Sequence, residues 1–297
     1  MGGLLAKCVG SSTEEQANPL GVVEPYQVEL SLAGEEENNE GEVETEETSD
    51  EPLDPEKAPY QVFLLETLNT FRKEKLFTDF TLKVNDKDFP VHKNVLAASC
   101  DYFNELFSKH DDSNFVLHEL AKLEPSAVEN VINFLYTGKC KLDRHNVTLM
   151  LHATKVLGIE DLLDPLEKNM ALASVKTMND EAPKRKMFNS HNQGTMLSKL
   201  LTFQSEGLFC DLTLTTGSGI VIPVHKNILA AVSCYFKGLF RSEMKEVHES
   251  NVELAVIDEV VIDELLNFVY KGEITITFDN ARNLLQASDY LLIERLK

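Results

Sequence analysis

Two segments decide the fold: Val91–Phe107, VHKNVLAASCDYFNELF, and Val224–Phe240, VHKNILAAVSCYFKGLF. Eleven of the seventeen aligned positions are identical, so the chain carries one segment twice. Leu96, Cys100, Phe103 and Phe107 recur at helical spacing, as do Leu229, Ser233, Phe236 and Phe240. Each set falls on one face of a helix, and the paired alanines let a neighbouring element approach closely. The spacing predicts one helix per segment.

Working outward, the likeness continues. Asp79 opens DFTLKV and Asp211 opens DLTLTT, alternating runs that read as strands, each followed by a short extended segment that reaches PVHKN. NFLYTGKCKL from Asn133 matches NFVYKGEITI from Asn267, and LMLHATKVLGI from Leu149 matches NLLQASDYLLI from Asn283. The offset is 132 residues at the aspartates, 133 at the histidines and 134 thereafter. So small a drift marks a duplicated domain, and the period is too long for a solenoid. PSAVENVINFLY and VIDELLNFVY have helical spacing and stop at glycine. Each unit therefore reads as strand–strand–helix–strand–helix–strand–helix, an α+β fold with a small mixed sheet capped by helices. An amphipathic stretch precedes each, QVFLLETLNTFRKEKLF and GTMLSKLLTFQSEGLF. The expected domains are 58–172 and 194–297, joined by a linker at 173–193 and preceded by a tail at 1–57.

Composition narrows the function. Of the net charge of −21, residues 1–56 supply −15, from sixteen Asp/Glu against Lys7 alone. Such a self-repelling stretch cannot bury enough apolar surface to fold, so a disordered acidic tail is expected. Nucleic acid is excluded as a partner, because phosphate binding needs an excess of Lys and Arg. No run approaches the apolar length of a membrane span. The five cysteines are odd in number and lack the spacing of zinc pairs, which implies reduced thiols in a cytoplasmic or nuclear protein. Lys184-Arg185-Lys186 in the linker reads as solubilising charge, with nuclear import as the alternative.

An Asp-hydrophobic-Thr-Leu strand, then VHKN.LAA....YF..LF, then NF.Y.G, resembles the BTB/POZ domain, here in tandem. The second copy most resembles the Kelch-like and speckle-type POZ adaptors of cullin-3 ubiquitin ligases. The resemblance implies a protein-interaction adaptor that dimerises through its BTB domains. The leading helices match the family's first helix, which packs against a partner domain in the dimer. A linker of about 20 residues reaches roughly 25 Å as a random coil, so the two copies can pair in cis as a pseudo-dimer. Kelch-like adaptors continue into a helical extension and a kelch propeller. These 297 residues contain no Trp and no glycine-pair repeats, which leaves a short form or part of a longer protein as the two readings.

The candidate partner contact lies just after the second quoted segment. Met244-Lys245-Glu246 in RSEMKEVHESNVEL fits the hydrophobic-x-Glu pattern of cullin-3 adaptors, with Phe240 at the end of the preceding helix. The first copy reads SKHDDSNFVL there and lacks the triplet. Asp79 with His92, and Asp211 with His225, are read as structural polar pairs at a strand–helix junction, the His also capping the helix. One His and one Asp per unit make neither a metal site nor a triad, and there is no Gly-rich phosphate loop. No enzyme and no cofactor is expected. The rival function is a BTB oligomerisation module of a transcriptional regulator or cytoskeletal scaffold, without ligase recruitment.

Overall fold

The computed structural model describes residues 58–109, 122–142, 146–159, 162–167, 185–188, 190–242, 250–257 and 259–297. The first copy opens with α1 (Tyr60–Lys73), which buries Leu64, Leu65, Leu68 and Phe71 along one stripe. Strands β1 (Phe80–Val84) and β2 (Lys87–Val91) form an antiparallel hairpin with Phe80 opposite Val91. Alternation buries Phe80, Leu82 and Val84. Helices α2 (Lys93–Ser99), α3 (Asp101–Lys109) and α4 (Pro125–Thr137) follow, then β3 (Lys139–Leu142) and α5 (Asn146–Val156). Pro125 starts α4 where its missing N–H costs nothing, and Gly138 ends it in the left-handed region at φ 66°.

The second copy follows the same order up to the paired helices. After β4 (Arg185–Phe188) come α6 (Ser190–Glu206), β5 (Leu212–Thr216), β6 (Val221–Val224), α7 (Lys226–Val232) and α8 (Cys234–Arg241). They are followed by β7 (Asn251–Leu254), α9 (Glu259–Lys271) and α10 (Ala281–Tyr290). The sheet order is β6-β5-β7, with β5 antiparallel to β6 and parallel to β7. This is the expected mixed sheet. In the first copy the counterpart of β7 falls within 110–121, outside the described residues, as does the acidic tail.

Three expectations need correction. Each quoted segment is two helices, not one, because Cys100 and Ser233 adopt extended backbone between them. Ser233 shows the cause: its hydroxyl accepts the Phe236 N–H and donates to the Leu291 carbonyl at 2.5 Å, so it starts a new helix. Residues 185–188, assigned to the linker, form a strand antiparallel to β3, with Lys139 opposite Phe188 and Leu142 opposite Arg185. Residues 273–276, expected as a strand from their match to β3, form none.

Both copies contribute to one cluster of buried apolar side chains. Tyr136 and Tyr270, on α4 and α9, are wholly buried within it. Fully burying one large apolar side chain in this cluster contributes about 1.5–3 kcal/mol.

Candidate functional site

The two copies meet through elements that the sequence places in equivalent positions. Helix α1 packs on α7, and α6 packs on α2. Asn94 and Asn227, the Asn of each VHKN, lie at the centre. The Asn94 Nδ2 donates to Asn227 Oδ1 at 3.0 Å, and Asn227 Nδ2 donates back to Asn94 Oδ1 at 2.9 Å. Each Oδ1 also accepts the next backbone N–H, from Val95 or Ile228, at 2.9 Å. Both residues are buried, so each amide depends on the other for its partners.

The same reciprocity governs the rings. Phe77 of the first copy meets Phe240 of the second at 6.2 Å, and Phe209 of the second meets Phe107 of the first at 6.4 Å, both edge-on. These pairs exchange under the 132–133 residue offset, as a pseudo-twofold axis requires. The Lys237 ammonium sits 5.2 Å from the Phe71 ring centre. The Lys199–Asp101 ion pair at 2.9 Å is exposed and contributes little.

The N-terminus of α1 closes on the far end of the second copy. Tyr60 donates its hydroxyl to the Val269 carbonyl at 2.6 Å and packs on Phe268 at 5.2 Å. Arg295 donates to the Ala58 carbonyl at 2.6 Å and lies over Phe63. Gly272 ends α9 at φ 77°, and a Cβ there would collide with the Tyr60 ring. On the mirror side, Gln193 Nε2 donates to the Thr137 carbonyl at 2.9 Å.

The four polar residues singled out by sequence sit where expected but pair differently. Asp79 Oδ1 accepts the Lys93 N–H at 2.8 Å, and Asp211 Oδ1 accepts that of Lys226 at 2.8 Å. The aspartates, not the histidines, cap α2 and α7; neither histidine makes a side-chain cap bond. His92 instead joins Tyr136. Its Nε2 faces the Leu76 carbonyl at 3.0 Å and must carry the proton, which leaves Nδ1 to accept the Tyr136 hydroxyl at 2.9 Å. The Tyr136 oxygen then accepts the His92 backbone N–H at 2.8 Å. His225 repeats this with Leu208 and Tyr270.

Every site on these imidazoles is therefore used in the neutral form. Burial lowers both pKa values to about 4 and lifts those of Tyr136 and Tyr270. Packing around the Asp79 carboxyl, with Asp211 adding its charge, raises it to about 6, although the residue stays exposed at its rim.

Among the described residues, Cys210 lies beside a histidine, 3.7 Å from the already bonded His225 Nε2. Burial, with the Asp211 charge adding to it, pushes this thiol up to about 12. Among the described residues no group of His, Cys, Asp and Glu could hold a metal, and no helix is long and apolar enough to cross a membrane.

Of the partner-contact residues, Met244 and Glu246 lie outside the described residues. Phe240 is 8% exposed, stacked on Phe236 and set against Phe77, so its ring is occupied within the chain. Sequence reasoning missed Asn94, Asn227, Tyr136 and Tyr270. Their only signal was repetition at the same place in each copy.

Compared with known proteins, the chain matches the model of the BTB/POZ domain twice, over residues 68–172 and 200–297. The chain belongs to the BTB/POZ family. Among curated BTB relatives, Kelch-like protein 23 of Mus musculus is 41% identical over 95 residues, 32% of this chain and 17% of the relative. Kelch-like protein 25 of Xenopus tropicalis is 31% identical over 160 residues, 50% of this chain and 27% of the relative. The chain thus spans about a sixth to a quarter of these relatives' length. The BTB domain of human gigaxonin is 30% identical, covering 41% of this chain and 94% of that one, with a TM-score of 0.33.

Proposed function

We propose that this BTB/POZ protein is a protein-interaction adaptor whose two BTB copies form the family's dimer within one chain. The observation that carries the reading is the reciprocal Asn94–Asn227 bond. It places equivalent residues face to face at a pseudo-twofold axis, with Phe77–Phe240 and Phe209–Phe107 on either side. Such pairing uses the leading helices in cis, leaving each copy no second partner for that face. The adaptor's partner is cullin-3, contacted by the second copy through Met244 and Glu246 in the segment that follows α8. An apolar side chain there would enter a pocket while the carboxylate fixes orientation. The first copy has no such triplet, so one chain binds one cullin. The similarity to Kelch-like proteins supports the ligase setting.

The test is a pull-down of purified cullin-3 N-terminal domain by the wild-type chain and by Met244→Ala/Glu246→Ala. The reading expects capture by the wild type and its loss in the double variant. Equal capture by both, or by neither, removes the ligase assignment and leaves an oligomerisation module.

A further inference from the structure

The first copy buries an arginine where the second copy has a groove. Arg72, on α1, is 3% exposed. Its Nε donates to Asn69 Oδ1 at 3.0 Å, and its Nη2 donates to Asn133 Oδ1 at 2.8 Å. The guanidinium lies 5.5 Å from the centre of the Tyr136 ring. Burial opposes its charge, and the Glu129 carboxylate supports it. Two amide oxygens, an aromatic ring and an acid thus hold one buried cation.

The second copy keeps most of this receptor without its cation. Asn267 stands in the place of Asn133, Asp263 in that of Glu129, and Tyr270 in that of Tyr136. Gln204 replaces Arg72 and turns its Nε2 to the Pro223 carbonyl at 2.9 Å, while Leu201 replaces Asn69. Between α6, β6 and α9 lies a groove of about 780 Å³, lined by Leu201, Ile222, Ile262 and Leu266 together with Asp263 and Asn267. Asp263 is exposed and Asn267 half-buried, as Glu129 and Asn133 are in the first copy. Four residues apart on α9, the carboxylate and the amide oxygen share one face and suit a forked N–H donor better than a point charge. The walls are apolar, and so is the rim. Ile220 and Val221 are 51% and 59% exposed where the first copy presents Lys87 and Asp88. Such a groove suits a guanidinium carried between apolar residues rather than a free ion.

We propose that this groove binds an arginine side chain of a partner protein, flanked by apolar residues, whose guanidinium takes the place that Arg72 fills in the first copy. Asn267 Oδ1 and the Asp263 carboxylate accept its N–H groups. This rests on the adaptor reading and gives the chemistry of one partner. Its test involves no cullin, so the two fail separately.

The probe is the capped peptide AVRVA, titrated into the isotope-labelled full chain and followed by NMR. Saturable shifts are expected at the Asn267 side-chain amide and the Ile222 backbone amide, and none at Asn133. Replacing the peptide's arginine with citrulline, its neutral isostere, should weaken binding at least about tenfold, because the charge-assisted bonds are lost. Asp263→Asn alters an exposed side chain, so it should leave the fold intact and weaken binding about fivefold. Leu201→Asn/Gln204→Arg rebuilds the internal plug of the first copy and should abolish binding with the circular dichroism unchanged. The proposal is overturned if the peptide gives no saturable shift at these groups, if the citrulline peptide or arginine amide alone binds as tightly, or if the Leu201→Asn/Gln204→Arg variant still binds.

Discussion

Asn94→Ala removes both amide bonds across the axis and leaves the Asn227 side chain buried with neither. Two hydrogen bonds lost with a buried amide left behind, at about 1–2 kcal/mol for each bond, give roughly 2–4 kcal/mol for either single variant. The double variant Asn94→Ala/Asn227→Ala loses the same two bonds once and orphans nothing across the axis. It should therefore be less damaging than the sum of the singles, with a coupling of about 2 kcal/mol. The assay is equilibrium urea unfolding of the full chain by far-UV circular dichroism, since there is no Trp to report. With an m-value of about 2–3 kcal/mol/M, each single variant moves the midpoint by roughly 1 M. Repeating the series at 1 and 50 μM separates cis from trans pairing. A bimolecular pair would gain about 2 kcal/mol from fiftyfold concentration, whereas a pair within one chain gains nothing. Additive single effects, or midpoints that climb with concentration, would refute the reasoning.

Other consequences follow from the same geometry. Gly272→Ala meets both a left-handed φ of 77° and the Tyr60 ring, whereas Gly158→Ala, at φ 61°, meets open space. The Gly158 variant should cost about 1 kcal/mol and the Gly272 variant clearly more, as measured by urea midpoints; equal losses would contradict the docking of α1 on the second copy. The histidines make the fold acid-sensitive. Their folded pKa values are about 4 against an ordinary 6.5, so their contribution is complete above pH 6.5 and is lost as pH falls toward 4. Each loss is roughly 3 kcal/mol at the end of that window. Asp79, raised from 3.8 to about 6, acts in the opposite sense as it takes up a proton over that range, and its exposure makes the offset smaller. Midpoints at pH 7.5 and 4.5 should fall, and ring protons of His92 and His225 should not titrate above pH 5; titration between 6 and 7 would remove the buried neutral assignment.

The duplicated VHKN segments made the fold legible because a repeated apolar face needs only local spacing to be recognised. What stayed hidden depends on residues distant in sequence. His92 reads as a helix cap because it stands at the cap position, yet its bonds go to Tyr136, 44 residues away, and to the Leu76 carbonyl. Asp79 reaches forward 14 residues to take the cap. Arg185–Phe188 reads as charged linker because a strand exists only by virtue of its neighbour, and that neighbour is β3. For the same reason GEITITF reads as a strand and forms none. Asn94 and Asn227 carry no signal as single residues, because a buried amide is intelligible only beside its partner. The Met244 triplet was visible from its place in the repeat alone.

The central claim is that one chain holds its own dimer interface closed. Multi-angle light scattering of the full chain across 1–50 μM tests it most directly. The account predicts a constant mass equal to one chain of 33.4 kDa. A mass of twice that value, or one rising with concentration, would contradict it.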